Sequence, residues 1–125
     1  MRALFVLAIL TLMRMASAVG DSEIVGYTTG LLMATPGGVD ANVSIHYVPG
    51  MPVENGTVLI FSNSLMSPTP EQCSKYILKY LTIGEEVIQH YPKINEIWIF
   101  INDRETKEER VNVMFYAPTK IDQRS

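Results

Sequence analysis

The stretch from Thr69 to Ile101 constrains this chain most, because within it the hydrophobic period changes from helical to strand-like at a single proline. Thr69 is suited to cap the free amides of a helix start and Pro70 to the first helical position, and Gln72 completes the threonine-to-glutamine spacing of a capping box. From there Cys73, Tyr76, Ile77, Tyr80, Leu81, Val87, Ile88 and Tyr91 recur at three- and four-residue steps, with Lys75, Lys79, Glu85, Glu86 and Gln89 on the other side. Pro92 ends the pattern. The spacing predicts an amphipathic helix of about 22 residues and about 33 Å, long enough to cross a four-stranded sheet diagonally. Gly84 falls on its inner stripe, where it either lets the backbone approach the sheet or divides the helix in two.

Beyond Pro92, Ile97, Ile99 and Ile101 alternate with Trp98 and Phe100, so both faces of this strand are apolar and it belongs in the middle of a sheet. Val111, Val113, Phe115 and Ala117 mark a last strand. The segment between them, Asp103 to Arg110, mixes acidic and basic residues and lacks the spaced aspartates and glycine of a calcium loop, so it reads as a solvated hairpin connection.

The front half is less sharply written. From Ala41 to Val48, Val43, Ile45 and Tyr47 alternate with Asn42, Ser44 and His46, which predicts a strand wet on one side. Asn55-Gly56 favours a tight turn with positive φ, and Thr57 to Ser62 supplies the hairpin partner. Ile24 to Met33 also alternates, with Val25, Tyr27, Thr29, Leu31 and Met33 on one side, and suggests an additional N-terminal strand weakened by Gly26 and Gly30. Thr35-Pro36-Gly37-Gly38 reads as a turn. The long helix cannot fold alone. A two-layer α+β sandwich in ββαββ order, a four- to five-stranded mainly antiparallel sheet with one long helix on one face, satisfies every stripe.

Residues 1–18 form a segment of another kind. Arg2 is followed by an apolar run from Ala3 to Met13, broken only by Thr11, and then by Ala16-Ser17-Ala18, the small residues of a cleavage site. This predicts a signal peptide, a mature chain starting at Val19, and a single domain over residues 19–125 that is secreted or lodged in the cell envelope. A membrane anchor is the competing reading, but a span needs about 20 apolar residues and Arg14 interrupts this run early. Loss of Arg2 and Arg14 moves the net charge from −3 to −5, which argues against nucleic acid or an anionic membrane as partner. Cys73 is the sole cysteine, so no intrachain disulfide can form, and its place on the helical stripe makes it a small buried hydrophobe.

No residue constellation spells out a chemistry. His46 and His90 are isolated, without the thiol or carboxylate neighbours of a metal site, and the sequence contains no glycine-flanked serine, paired acidic motif or phosphate loop. No cofactor is implied. The segment Ser62 to Pro68 carries hydroxyls and an amide toward a helix start, which makes Ser62, Asn63, Ser64, Ser67 and Thr69 the candidates for a small anionic ligand, unless Thr69 and Gln72 already satisfy those amides. Asn42-Val43-Ser44 and Asn55-Gly56-Thr57 match the N-glycosylation acceptor, with Asn55 better exposed in its turn than Asn42 on its strand.

Excess apolar surface is the more useful sign. One helix cannot cover both the three isoleucines and the Trp98 and Phe100 face, so either the segment 24–33 or another molecule covers the second face. Trp98, Phe100 and Tyr116 are the candidate interface residues, and Tyr27 and Tyr47 have the same amphipathic character. These features favour an exported, non-catalytic binding or assembly module that takes a protein partner or a second copy. The alternatives are a small extracytoplasmic ligand-binding protein and, more remotely, a hydrolase built on His46.

Overall fold

A computed structural model describes residues 20–36 and 40–117. Residues 1–18, expected as a signal peptide, and Val19, together with Gly37 and Gly38 of the expected turn, Val39, and residues 118–125, lie outside them. The chain is an α+β sandwich. Its four-stranded sheet runs β1 (Asn42–Tyr47), β2 (Thr57–Leu65), β3 (Glu96–Asp103) and β4 (Glu109–Tyr116) in that spatial order. The sheet is mixed: β1/β2 and β3/β4 are antiparallel hairpins, and β2/β3 is a parallel pair. The parallel pair is joined by a crossover helix, which is how a chain returns to start a parallel neighbour.

That crossover is the long helix, here α3 (Pro70–His90), with the capping box in place: Thr69 Oγ1 accepts from the Gln72 amide at 3.1 Å and the Thr69 amide donates to Gln72 Oε1 at 3.0 Å. Its stripe of Cys73, Tyr80, Ile83, Val87 and Ile88 is buried against Leu59 and Phe61 of β2 and Ile97, Ile99 and Ile101 of β3. Gly84 lets the helix approach the sheet without dividing, since a Cβ there would lie 2.5 Å from Ile97 Cδ1. Tyr80 stacks on Phe61 with ring centroids 5.1 Å apart, and its hydroxyl donates to the Asp40 carbonyl. Burial pushes the Tyr80 phenol up to about 12, against a lowering by its hydrogen bond with Asn63, so it keeps its proton at any working pH.

The principal departure from the sequence reading is at the front. Residues 20–34 form a helix, α1, not a strand. Ile24, Thr28 and Leu32 are buried on one stripe with Tyr27 and Leu31 beside them, while Gly26 and Gly30 face out. The threonine hydroxyls donate back one turn, Thr28 to Ile24 O and Thr35 to Leu31 O at 2.7 Å each. The reason is width. Four strands at about 4.8 Å make a face near 19 Å across, and one helix covers only about 10–12 Å of it. A fifth strand would enlarge the uncovered core face, whereas a second helix covers β1, and Val43 and Ile45 pack into the same core as Ile24 and Leu32.

Two smaller departures concern β2. Asn55-Gly56 does not make a positive-φ turn; the chain reverses through Gly50 at φ +83° and the short helical turn α2 (Val53–Gly56). Gly56 is needed for space, since a Cβ on it would lie 2.9 Å from that of Met51. At its far end β2 runs on to Leu65, because β3 continues beside it and pairs Asn63 with Ile101, Ser64 with Asn102 and Leu65 with Asp103. Much of the segment expected as a loop is therefore strand.

Candidate functional site

Because side chains alternate across a strand, the register places a second set of residues on the face away from both helices. Three rows cross it from β1 to β4: His46, Val58, Glu96 and Tyr116; Ser44, Ile60, Trp98 and Met114; Asn42, Ser62, Phe100 and Asn112. None of these residues belongs to the core beneath the long helices, although Val58 is fully buried. Ile60, Trp98 and Phe100 are half-buried in the middle, whereas Met114 is 61% and Tyr116 71% exposed. Phe100 meets Trp98 edge-on at 6.4 Å between ring centroids, and the His46 ring lies 5.7 Å from that of Trp98. The centre is thus an aromatic and aliphatic patch with a polar rim, which carries Glu96 at one end and, in the shorter row of Ser64, Asn102 and Glu109, a second acidic residue at the other. Trp98 Nε1 and Asn102 Oδ1, at alternate positions on the same side of β3, are buried and lack a hydrogen-bond partner among the described residues.

The other expected site residues take varied places. Ser62 and Ser64 lie in β2, and Asn63 turns to the helical side, where its amide donates to Asp40 O at 2.8 Å and Tyr80 Oη at 3.2 Å. Ser67, at φ 45°, donates to Glu105 at 3.1 Å, and Thr69 is engaged in the cap. Asn42 and Asn55 are both exposed, Asn42 at a corner of the open face. Cys73 is buried and unbonded to another cysteine. Grooves in the described surface lie along the outside of α3 at Leu78 and Lys79 and between α3 and α1 at Thr35 and Ile83, on the helical side of the molecule. Among the described residues no three metal-ligating side chains cluster, and no helix is long and apolar enough to cross a membrane.

One polar cluster had no signal in the sequence. Asp21 of α1 accepts from the Tyr47 hydroxyl at 2.6 Å and from Lys93 Nζ at 2.9 Å. Burial pushes the Asp21 carboxyl up, but the Lys93 and Tyr47 hydrogen bonds and the Lys93 charge together hold it below the ordinary range. Burial favours the neutral Lys93 amine, and bonding to Asp21 and Tyr47 more than reverses this, so its pKa is raised. Tyr47 is raised by burial and by Asp21. A tyrosine held in this way donates its proton to a carboxylate and is no phenolate base; the trio ties α1 to β1 and to the start of β3. Nearby Tyr27 packs on His90, ring centroids 4.7 Å apart. Asp103 plays a similar local part: its Oδ1 accepts the Glu105 and Thr106 amides and its Oδ2 pairs with Arg110 at 3.1 Å, closing the charged β3–β4 hairpin.

The site is thus a sheet face on an α+β sandwich, apolar at its centre and with Glu96 and Glu109 on its rim. No family model, curated protein or solved structure matches the chain.

Proposed function

We propose that this chain is an exported, non-catalytic binding or assembly module of the cell envelope or extracellular space, with the open sheet face as its working surface. The observation that carries the reading is the fate of the two helices. Both pack on the isoleucine side, so Trp98, Phe100, Ile60 and Met114 keep an apolar centre facing outward. A contiguous apolar centre with a polar rim is the anatomy of a protein interface. The face is broad, and the grooves lined by described residues lie along α3, which suits a macromolecule on the face better than a small ligand. The leader over residues 1–18 supports export, and with export Asn42 and Asn55 become glycan acceptors in a host that glycosylates.

The test uses the chain's sole tryptophan as a reporter. Engagement of the face shifts Trp98 emission to the blue and protects it from acrylamide. Crosslinking in the native extracellular fraction is expected to capture a complex that is lost in Met114→Glu and kept in Glu85→Lys on the outer side of α3. Capture unaffected by Met114→Glu would remove the basis of the reading, and intact mass of the native protein starting at Met1 in the cytosol would remove export.

A further inference from the structure

We propose that Asn55 accepts an N-linked glycan before the chain folds, and that folding then shuts its sequon away from the transferase. The proposal rests on the export reading and not on the sheet face; it distinguishes the two sequons and sets the moment at which one of them is used.

The chemistry sets the requirement. A bond forms between Asn55 Nδ2 and the anomeric carbon of an oligosaccharide carried on a lipid phosphate; the bond from that carbon to the phosphate oxygen breaks, the lipid phosphate leaves, and the proton lost by Nδ2 passes to it. An amide nitrogen is a poor nucleophile, so asparagine alone is not enough: the acceptor is Asn-X-Ser/Thr, with the hydroxyl presented to the enzyme together with the amide. The substrate is therefore the whole stretch Asn55-Gly56-Thr57.

The folded chain meets half of that requirement. Asn55 is exposed on α2, so a sugar on it stays in water and does not obstruct folding. Thr57 is 0% exposed; its Oγ1 donates to Val53 O at 2.6 Å and its amide to Asn95 Oδ1 at 2.9 Å. Asn95 closes the arrangement from the other side, its amide donating to Thr57 O at 2.8 Å and its side chain to Glu54 O at 2.8 Å. Gly56 between them is buried, with its amide on Pro52 O and its carbonyl on the Val48 amide, both at 2.9 Å. Presenting the Thr57 hydroxyl to an enzyme would mean peeling the start of β2 away from Tyr47 of β1 and from the segment leading into β3, an opening of the sheet's centre and not of a loop. Before folding none of this holds, because Asn95 is 38 residues further along the chain. The second sequon is not shut in this way: Asn42 and Ser44 are both exposed on the edge strand β1.

Two measurements test this on the full-length chain carrying Asn42→Gln, a change at an exposed position that leaves Asn55 as the acceptor to be scored. Synthesised beside microsomes that hold the transferase and its lipid-linked oligosaccharide, protease-protected chains are expected to carry one glycan, read as a mass step that a glycosidase removes. The step is lost in Asn55→Gln and kept in Thr57→Ser, which retains the hydroxyl. In the second measurement the same chain, purified folded and without sugar, meets the solubilised transferase and donor beside a peptide of residues 50–60. The peptide is expected to be modified and the folded chain to lag by roughly a hundredfold or more, since transfer waits on the opening of β2. Equal rates overturn the closure. Protected chains without sugar overturn Asn55 as acceptor and leave export and the sheet face standing, whereas chains that never become protected overturn export and this proposal with it.

Discussion

Alternate residues of one strand meet opposite fates in this molecule. Ile97, Ile99 and Ile101 of β3 lie on the helix-covered face and are essentially without exposure, while Trp98 and Phe100, larger and no less apolar, are half-buried on the other side. Hydrophobicity therefore does not tell which face is covered. Shape does more: rows of branched aliphatic side chains present an even bed for a helix, and Gly84 brings α3 down onto Ile97. Rings with a polar edge or a histidine neighbour make a surface whose rim can stay wet.

The comparison can be broken or sharpened by substitution. The largest effect is expected from Ile99→Ala on the covered face, a loss of about 2–5 kcal/mol in urea unfolding, because the cavity cannot collapse between helix and sheet. A loss no greater than that of an open-face change would erase the distinction between the faces. Gly84→Val comes next, at about 1–3 kcal/mol, from overpacking against Ile97. Combined with Ile97→Ala it should cost less than the sum of the two, as thermal unfolding of the double mutant would show.

Asp21→Asn is smaller, under about 1 kcal/mol near neutral pH, since both Asp21 and Lys93 are about one-third exposed. Its pH dependence carries a sign. Asp21 has a lowered pKa, so its contribution is full above the unfolded carboxyl value, near 3.8, and fades as pH falls through the folded one. Lys93 is raised, so its share is full below about 10.5 and is lost as pH rises through its folded value. The variant should therefore differ from the wild type between these limits and converge with it in acid. The smallest effect on folding is expected from Met114→Ser, less than about 0.5 kcal/mol at dilution, because that side chain is already mostly in water. A large loss would mean that the open face is part of the monomer's own core.

Legibility from the sequence followed locality. Helix α3, its capping box and its stop were readable because cap, period and proline all lie within one stretch of chain. The central place of β3 was readable from its two apolar faces, and Trp98, Phe100 and Tyr116 fell on one side by alternation. The trio Asp21, Tyr47 and Lys93 was not, since its members come from three distant segments and no spacing rule connects them. Residues 24–33 were misread because Ile24, Tyr27, Thr28, Leu31 and Leu32 fit a helical stripe while the odd-numbered positions also alternate.

The sequence by itself determined the α+β class, the long helix, the strand periods and the surplus of apolar residues on β3, all of which depend on neighbours within a few positions. Tertiary structure alone decided that residues 20–34 coil into a helix, that β2 extends to Leu65, and that both helices share one face. Those outcomes depend on the width of a sheet that exists only once four distant strands have paired, and covering that width on one side is what leaves the other side open.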